Sequence, residues 1–123
     1  MAKVGIIEDS SLVVDMLTMV CQQEGHSVDS FERFGDAASA FASDPPDIVI
    51  TDLNLPDIPE GATLDELREI SELSDTPVIV VSARPREELQ RLAENAGANG
   101  ALSKDDGMPV ISAELPKMIE QLT

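Results

Sequence analysis

The chain has 123 residues, of which eight are basic and twenty-four are acidic, so its formal net charge is −16. This charge argues against nucleic acid and against an anionic membrane surface as partners, because both would repel the protein. The sequence contains three Phe, no Trp and no Tyr, so its core must consist mainly of aliphatic and Met side chains. A chain of this length can bury such a core, and we expect a single domain over residues 1–123.

The N-terminal sequence predicts a cytoplasmic protein, and the single cysteine predicts a core residue. The apolar run at residues 4–7 is too short for a secretory signal and is followed directly by Glu8 and Asp9. Cys21 is the single cysteine, so no intramolecular disulfide can form. Its place in a helical apolar pattern predicts a small core residue instead of a reactive thiol.

Five short runs in the sequence are typical of β-strands. The first, third and fourth are mainly aliphatic and end next to a polar residue, which is the pattern of strands that are buried on both faces of a parallel sheet. The second alternates weakly between polar and apolar residues, and the last is brief. The predicted strands are residues 4–7, 27–31, 47–51, 77–81 and 101–102.

Segments with apolar residues at helical spacing alternate with these strands. Pro56 and Pro59 exclude regular structure from the loop at residues 53–61. Pro116 falls in the first turn of the last predicted helix, where its missing N–H would have no intrahelical partner. The predicted boundaries are the caps Ser10 or Ser11, Asp36 and the capping box at residues 63–66, the terminating glycines Gly25 and Gly97, and the start of the last helix near Ser112.

Strands and helices that alternate in this way predict an α/β fold with an open, five-stranded parallel sheet and helices on both faces. In the flavodoxin-like version the strand order is 2-1-3-4-5, and the functional site lies at the carboxyl ends of strands one and three. Glu8, Asp9 and Asp52 follow these two strands, while Ser82 and Lys104 follow strands four and five. We therefore expect five reactive side chains along one edge of the sheet.

The three acids Glu8, Asp9 and Asp52 indicate a divalent cation. Each acid alone is typical of a solvated loop, but three carboxylates in one crevice repel one another without a cation. A ligand set made only of oxygen favours Mg²⁺ or Mn²⁺ over zinc. Asp52 is central and is the candidate nucleophile toward phosphorus, with Lys104 pairing with one phosphoryl oxygen and Ser82 hydrogen-bonding another.

These motifs, in this order, resemble the receiver domain of bacterial response regulators, which belong to two-component regulatory systems. The resemblance covers the whole chain and rests on Glu8-Asp9, on the run from Asp52 through Asn54 to Pro56, on Ser82-Ala83 and on Lys104. It implies that Asp52 accepts a phosphoryl group from a sensor histidine kinase or a phosphorelay protein. It also implies that Asn54 gives its backbone carbonyl to the Mg²⁺ ion.

The resemblance has further implications for the way in which the protein works. Such a stand-alone phosphoprotein would catalyse only its own phosphotransfer and dephosphorylation, so it is not expected to be an enzyme acting on other substrates. It would signal by contact with a downstream target protein, as a monomer or a weak dimer. Phosphorylation would draw Ser82 inward and reshape the face made by helix four, strand five and helix five.

Two positions depart from the family pattern. Ala101 stands where such receivers usually carry an aromatic or His ring that turns inward on activation, and Asp105 stands where proline usually follows the Lys. Arg84 and Arg86 form a basic patch beside Ser82. This patch either begins helix four or contacts an acidic partner, and the sequence leaves both interpretations open.

Two other functions are compatible with parts of the pattern. A pseudo-receiver would keep the fold and dock partners without phosphorylation, which the departures at Ala101 and Asp105 allow. A haloacid-dehalogenase-like phosphohydrolase also uses an Asp nucleophile, but it needs a second acid where this chain has Asn54. His26, the single histidine, lies beside Gly25 and is expected to be a surface or strand-edge residue.

Overall fold

A computed structural model describes residues 1–59 and 61–123. The predicted fold is confirmed, because these residues form a parallel sheet in the order β2-β1-β3-β4-β5. Position 60 belongs to the predicted irregular loop at residues 53–61 and lies outside the described residues. The strands are β1 (Lys3–Ile7), β2 (Ser27–Phe31), β3 (Ile48–Asp52), β4 (Val78–Ser82) and β5 (Gly100–Ser103).

Helices connect successive strands and cover both faces of the sheet. Residues 71–73 and 104–106 form short 3₁₀ turns, the first after α3 and the second between β5 and α5. The turn after β5 carries Lys104. The helices are α1 (Ser11–Gln23), α2 (Phe34–Ser43), α3 (Thr63–Glu69), α4 (Arg86–Ala96) and α5 (Gly107–Leu122).

The sheet separates two hydrophobic clusters among the described residues. Ile6 and Ile50 point to the cluster that α1 and α5 cover, whereas Ile7 and Val49 point to the cluster that α2, α3 and α4 cover. This alternation explains why the inner strands are apolar at consecutive positions, since successive side chains face opposite layers. Gly5 is required in β1 because a Cβ atom there would collide with the ring of Phe41.

Helix α5 begins earlier than predicted, at Gly107 instead of near Ser112, and Pro116 therefore lies inside the helix. An interior proline costs about 3 kcal/mol, because it removes one hydrogen bond and crowds the preceding turn. Each large apolar side chain that is fully buried contributes roughly 1.5–3 kcal/mol, so three of them outweigh that cost. The buried side chains of α5 are Ile111, Leu115 and Ile119.

Two predicted helix ends agree with the structure. Ser10 is the N-cap of α1, and its Oγ accepts a hydrogen bond from the Val13 amide at 3.5 Å. Gly97 follows α4 with φ of 81°, the left-handed conformation that glycine adopts without strain.

Two predicted caps are wrong, and a distant carboxylate takes the place of one of them. Asp36 lies in the first turn of α2, while the carboxylate of Asp57 accepts hydrogen bonds from the amides of Phe34 and Gly35 at 2.8 and 2.9 Å. Thr63 lies within α3 and makes no side-chain cap hydrogen bond. Its hydroxyl is buried and has no hydrogen-bond partner among the described residues.

Candidate functional site

Three carboxylates meet at the carboxyl edge of the sheet. Glu8 follows β1 and is 1% exposed, Asp52 ends β3 and is 5% exposed, and Asp9 is exposed to solvent. One oxygen atom from each carboxylate lies within 4.8 Å of the others. Oxygen ligands at this spacing fit a hard divalent cation such as Mg²⁺. The structure therefore brings together the three acids that the sequence predicts as metal ligands.

Lys104 reaches this cluster from the turn after β5. Its Nζ lies 2.5 Å from Glu8 Oε1 and 2.9 Å from Asp52 Oδ2. Burial lowers the pKa of Lys104, but the contacts with Glu8 and Asp52 outweigh burial and raise that pKa above its ordinary value. The ammonium group therefore stays charged and offsets part of the repulsion between the two buried carboxylates.

The buried position of Glu8 changes its protonation. Burial is the main cause that raises the pKa of Glu8 to about 7. The hydrogen bond from Lys104 lowers this pKa, whereas the nearby negative charge of Asp52 raises it. A proton therefore occupies part of the Glu8 population at neutral pH. A divalent cation at this site would compete with that proton.

Both oxygens of the Asp52 carboxylate accept hydrogen bonds. The amide of Asn54 donates to Oδ1 at 3.0 Å, and the ammonium of Lys104 donates to Oδ2 at 2.9 Å. These bonds fix the orientation of the carboxylate. Asn54 itself is exposed in the loop after β3, and its backbone carbonyl remains a predicted metal ligand.

Ser82 lies on the same edge as Asp52. It is the last residue of β4, is 1% exposed, and stands one position beyond Val81, which pairs with Asp52 across the two strands. The Ser82 hydroxyl oxygen accepts a hydrogen bond from the amide of Arg84 at 3.2 Å. A hydroxyl oxygen that accepts one bond still carries its own proton for donation to a ligand.

The basic residues beside Ser82 are engaged within the chain. Arg84 Nη1 lies 2.8 Å from Glu88 Oε1, and Arg86 Nε lies 3.2 Å from Asp106 Oδ2. Arg86 is the first residue of α4, which agrees with the interpretation of the patch as a helix start. A role of these side chains in binding a partner remains a prediction.

Ala101 lies within β5, opposite Val80 of β4, and is half-buried. Its methyl group lines an open cleft of about 360 Å³ whose walls also include Gly100 and Met118. The position predicted to lack a ring is therefore bordered by free space on one side.

Sequence reasoning missed Ser103, the buried residue before Lys104. Its hydroxyl donates a hydrogen bond to the carbonyl of Arg84 at 2.8 Å and accepts one from the amide of Asp105 at 3.3 Å. A serine directly after the brief predicted strand at residues 101–102 is the signal that could have identified it, because buried hydroxyls need partners.

Two further residues lie away from the carboxylates, as predicted. His26 Nδ1 accepts a hydrogen bond from the amide of Ala2 at 2.9 Å, at the opposite edge of the sheet from Glu8. Cys21 is fully buried, and burial raises the pKa of its thiol to about 11. In the part of the chain that the structure describes, no helix has the length and apolar character needed to cross a membrane.

Comparisons with known proteins agree with this geometry. The chain is 34% identical over 115 residues to the KDP operon transcriptional regulatory protein KdpE of Escherichia coli, an alignment that covers 94% of this chain and 50% of KdpE. It is 29% identical over 104 residues to Protein PilH of Pseudomonas aeruginosa, with 85% of this chain and 86% of PilH covered. The chain thus spans about half the length of the KdpE relatives that it matches.

Solved structures share the same fold. The chemotaxis response regulator CheY4 of Vibrio cholerae superposes with a TM-score of 0.83 at 23% identity, covering 96% of this chain and 98% of CheY4. The family model of the response regulator receiver domain matches residues 4–116. The chain therefore belongs to the receiver domain family of two-component response regulators.

Proposed function

We propose that this receiver accepts a phosphoryl group on Asp52, with the help of Mg²⁺, from a phosphohistidine on a sensor histidine kinase or a phosphotransfer protein. One observation carries the proposal, which is the buried Asp52 carboxylate with Glu8, Asp9 and Lys104 around it in a receiver fold. Buried carboxylates held this close together are costly to a fold, which is expected where they serve a chemical function.

The proposed step exchanges one bond to phosphorus for another. An oxygen of Asp52 attacks the phosphorus atom, the new O–P bond makes an acyl phosphate, and the P–N bond to the donor imidazole breaks. The imidazole leaves with the bonding electron pair and takes up a proton. Mg²⁺ bound to Glu8, Asp9 and Asp52 would supply positive charge to the phosphoryl oxygens.

Two further side chains are placed to stabilise the transferred group. Lys104 already touches Asp52 Oδ2 at 2.9 Å, so a small displacement would let its ammonium pair with a phosphoryl oxygen instead. The Ser82 hydroxyl can donate its proton to another phosphoryl oxygen. Ser82 ends β4 and Lys104 follows β5, so the phosphoryl group would draw the carboxyl ends of β3, β4 and β5 together.

The proposal extends to the way in which the signal leaves the domain. We infer that the phosphorylated protein contacts a downstream target protein, because a net charge of −16 disfavours nucleic acid as the target. Its catalysis would be limited to its own phosphorylation and to hydrolysis of the acyl phosphate by water. The protein would act as a monomer or a weak dimer.

Intact-mass measurement after incubation with acetyl phosphate tests the proposal. We expect a phosphoryl adduct that requires Mg²⁺, is absent from Asp52→Asn, and persists in the matched variant Asp75→Asn, whose side chain is exposed outside the site. If no adduct accumulates, binding of beryllofluoride, a mimic of the acyl phosphate, distinguishes rapid hydrolysis from lack of chemistry. Failure of both tests would leave a docking domain that works without phosphorylation.

A further inference from the structure

Ser103 connects two segments that flank the phosphoacceptor. It ends β5, is 2% exposed, and lies opposite Ser82 in the register of β4 and β5. Its hydroxyl donates to the carbonyl of Arg84 at 2.8 Å and accepts from the amide of Asp105 at 3.3 Å. One buried hydroxyl thus joins the loop between β4 and α4 to the turn between β5 and α5.

Each end of this connection reaches a residue of the proposed phosphorylation site. On one side, the amide of Arg84 donates to the hydroxyl of Ser82 at 3.2 Å. On the other side, Ser103 precedes Lys104, whose Nζ is 2.9 Å from Asp52 Oδ2. The hydrogen bonds therefore form a continuous path from Ser82, through the peptide groups of Arg84, to the segment that carries Lys104.

An ion pair runs beside this path at the surface. Arg86, the first residue of α4, lies with Nε 3.2 Å from Asp106 Oδ2 in the turn that precedes α5. An exposed pair of this kind contributes little to stability alone. In parallel with the buried Ser103 hydroxyl, it favours movement of the two loops as one unit.

Ala101, two residues before Ser103 in β5, offers no comparable path. Ala101 has only a methyl group, which can neither fill the cleft beside β5 nor hydrogen-bond to the loop after β4. Met118 of α5 covers Gly100 so closely that a Cβ atom at Gly100 would collide with its methyl group. A change at the phosphorylation site must therefore reach α5 by contacts other than a ring on β5.

We propose that Ser103 is a positioning residue that transmits phosphorylation from Ser82, through the loop after β4, to the turn that carries Lys104 and to the start of α5. The inference rests on the proposed function. When the Ser82 hydroxyl turns to a phosphoryl oxygen, the hydrogen bond that its oxygen accepts from the Arg84 amide is lost or weakened. The Arg84 carbonyl then moves with the Ser103 hydroxyl, and the amide of Asp105 follows.

Hydrogen exchange with peptide mass readout tests this transmission. Wild-type protein is compared with and without Mg²⁺ and beryllofluoride, and we expect amide exchange to change at residues 83–89 and at residues 104–110 together. In Ser103→Ala we expect the adduct with acetyl phosphate to form as in wild type, while the change at residues 104–110 is lost. Ser103→Thr, which keeps the hydroxyl, should restore it.

Control variants separate transmission from a general structural role. Ser43→Ala removes a hydroxyl that bonds the Ser39 carbonyl in α2, and it should leave both exchange responses intact. If Ser103→Ala does not fold, the exposed change Arg86→Gln replaces it, with Arg91→Gln as the control of equal charge on the same helix. Arg86→Gln should reduce the response at residues 104–110, and Arg91→Gln should not.

The outcomes are distinguishable. A full response at residues 104–110 in Ser103→Ala, or in Arg86→Gln if that variant replaces it, overturns the inference and leaves the proposed function standing. Loss of the phosphoryl adduct in folded Ser103→Ala also overturns it, because Ser103 would then act in the chemistry. If wild-type protein forms no adduct and binds no beryllofluoride, both proposals fail together.

Discussion

The two halves of the carboxyl edge follow the family pattern to different extents. At the ends of β1 and β3, Glu8, Asp9 and Asp52 match the receiver motif and lie within 4.8 Å of one another. At the ends of β4 and β5, Ser82 and Lys104 also match, but Ala101 departs from the pattern and the two loops are joined by Ser103 instead. Cation binding and attack on phosphorus require particular atoms at particular places, whereas a movement can be transmitted by many different contacts.

The largest expected effect concerns the carboxylates at the ends of β1 and β3. It tests whether their close approach lowers the free energy of unfolding. Because the pKa of Glu8 is raised to about 7, the folded protein binds more protons than the unfolded chain between pH 4.5 and 7. The contribution of Glu8 to stability is thus fully present below pH 4.5 and is lost as pH rises through 7. Relative to Glu8→Gln, we expect wild type to lose on the order of 3 kcal/mol of unfolding free energy over that range without Mg²⁺.

Urea unfolding at several pH values, with and without Mg²⁺, measures this difference. Addition of Mg²⁺ should restore stability to wild type at pH 7.5, and less so to Glu8→Gln, because the cation replaces the proton on Glu8. Parallel pH profiles for wild type and Glu8→Gln would contradict the prediction. They would mean that Lys104 fully compensates the charge of Glu8 in the folded state.

A smaller effect concerns the loop that follows Asp52. Asp57 in this loop accepts two hydrogen bonds from the first amides of α2, and these bonds lower the pKa of its carboxyl. A lowered pKa means that the stabilising contribution is present above the unfolded value of 3.8 and is lost as pH falls below it. Asp57→Asn should therefore lower the melting temperature at pH 7, and its difference from wild type should shrink toward pH 3.

Thermal melts of Asp57→Asn and of Asp65→Asn provide the comparison. Asp65 is an exposed acid in the first turn of α3, and it serves as the matched charge change. A melting difference for Asp57→Asn that is constant from pH 7 to pH 3 would show that the carboxylate charge does not hold the loop to α2.

Local sequence signals predicted most of the fold and the part of the site that Glu8, Asp9 and Asp52 form. Signals that act through neighbouring residues can be identified from the sequence alone. They include the apolar runs of β1, β3 and β4, the cap Ser10 and the terminating Gly97. The acids at the ends of β1 and β3 followed from topology, because parallel strands end at one edge.

The missed features all depend on contacts between distant segments. Asp57 caps a helix more than twenty residues earlier in the chain, and Ser103 bonds a carbonyl nineteen residues away. Local rules exclude proline from a helix interior and therefore predict Pro116 in a first turn, but the buried face of α5 outweighs that rule. Such features require knowledge of which elements pack together.

The smallest expected effect concerns the other half of the carboxyl edge, formed by β4 and β5. Ala101→Tyr introduces the ring that the family usually carries, next to an open cleft of about 360 Å³. Because the cleft can receive a ring without displacing the core, we expect the unfolding free energy to change by less than about 1 kcal/mol. The yield of the acetyl phosphate adduct should also be unchanged, since Ala101 contributes no atom to the chemistry.

Ala93→Tyr is the matched control for this substitution. Ala93 lines the same cleft from α4 but is 5% exposed, so a ring there must displace packed neighbours and should cost roughly 1–3 kcal/mol or more. Equal losses of unfolding free energy in the two variants would mean that the cleft is not available to a ring. If Ala101→Tyr is tolerated and the exchange response at residues 104–110 still depends on Ser103, then transmission through Ser103 does not merely compensate for a missing ring.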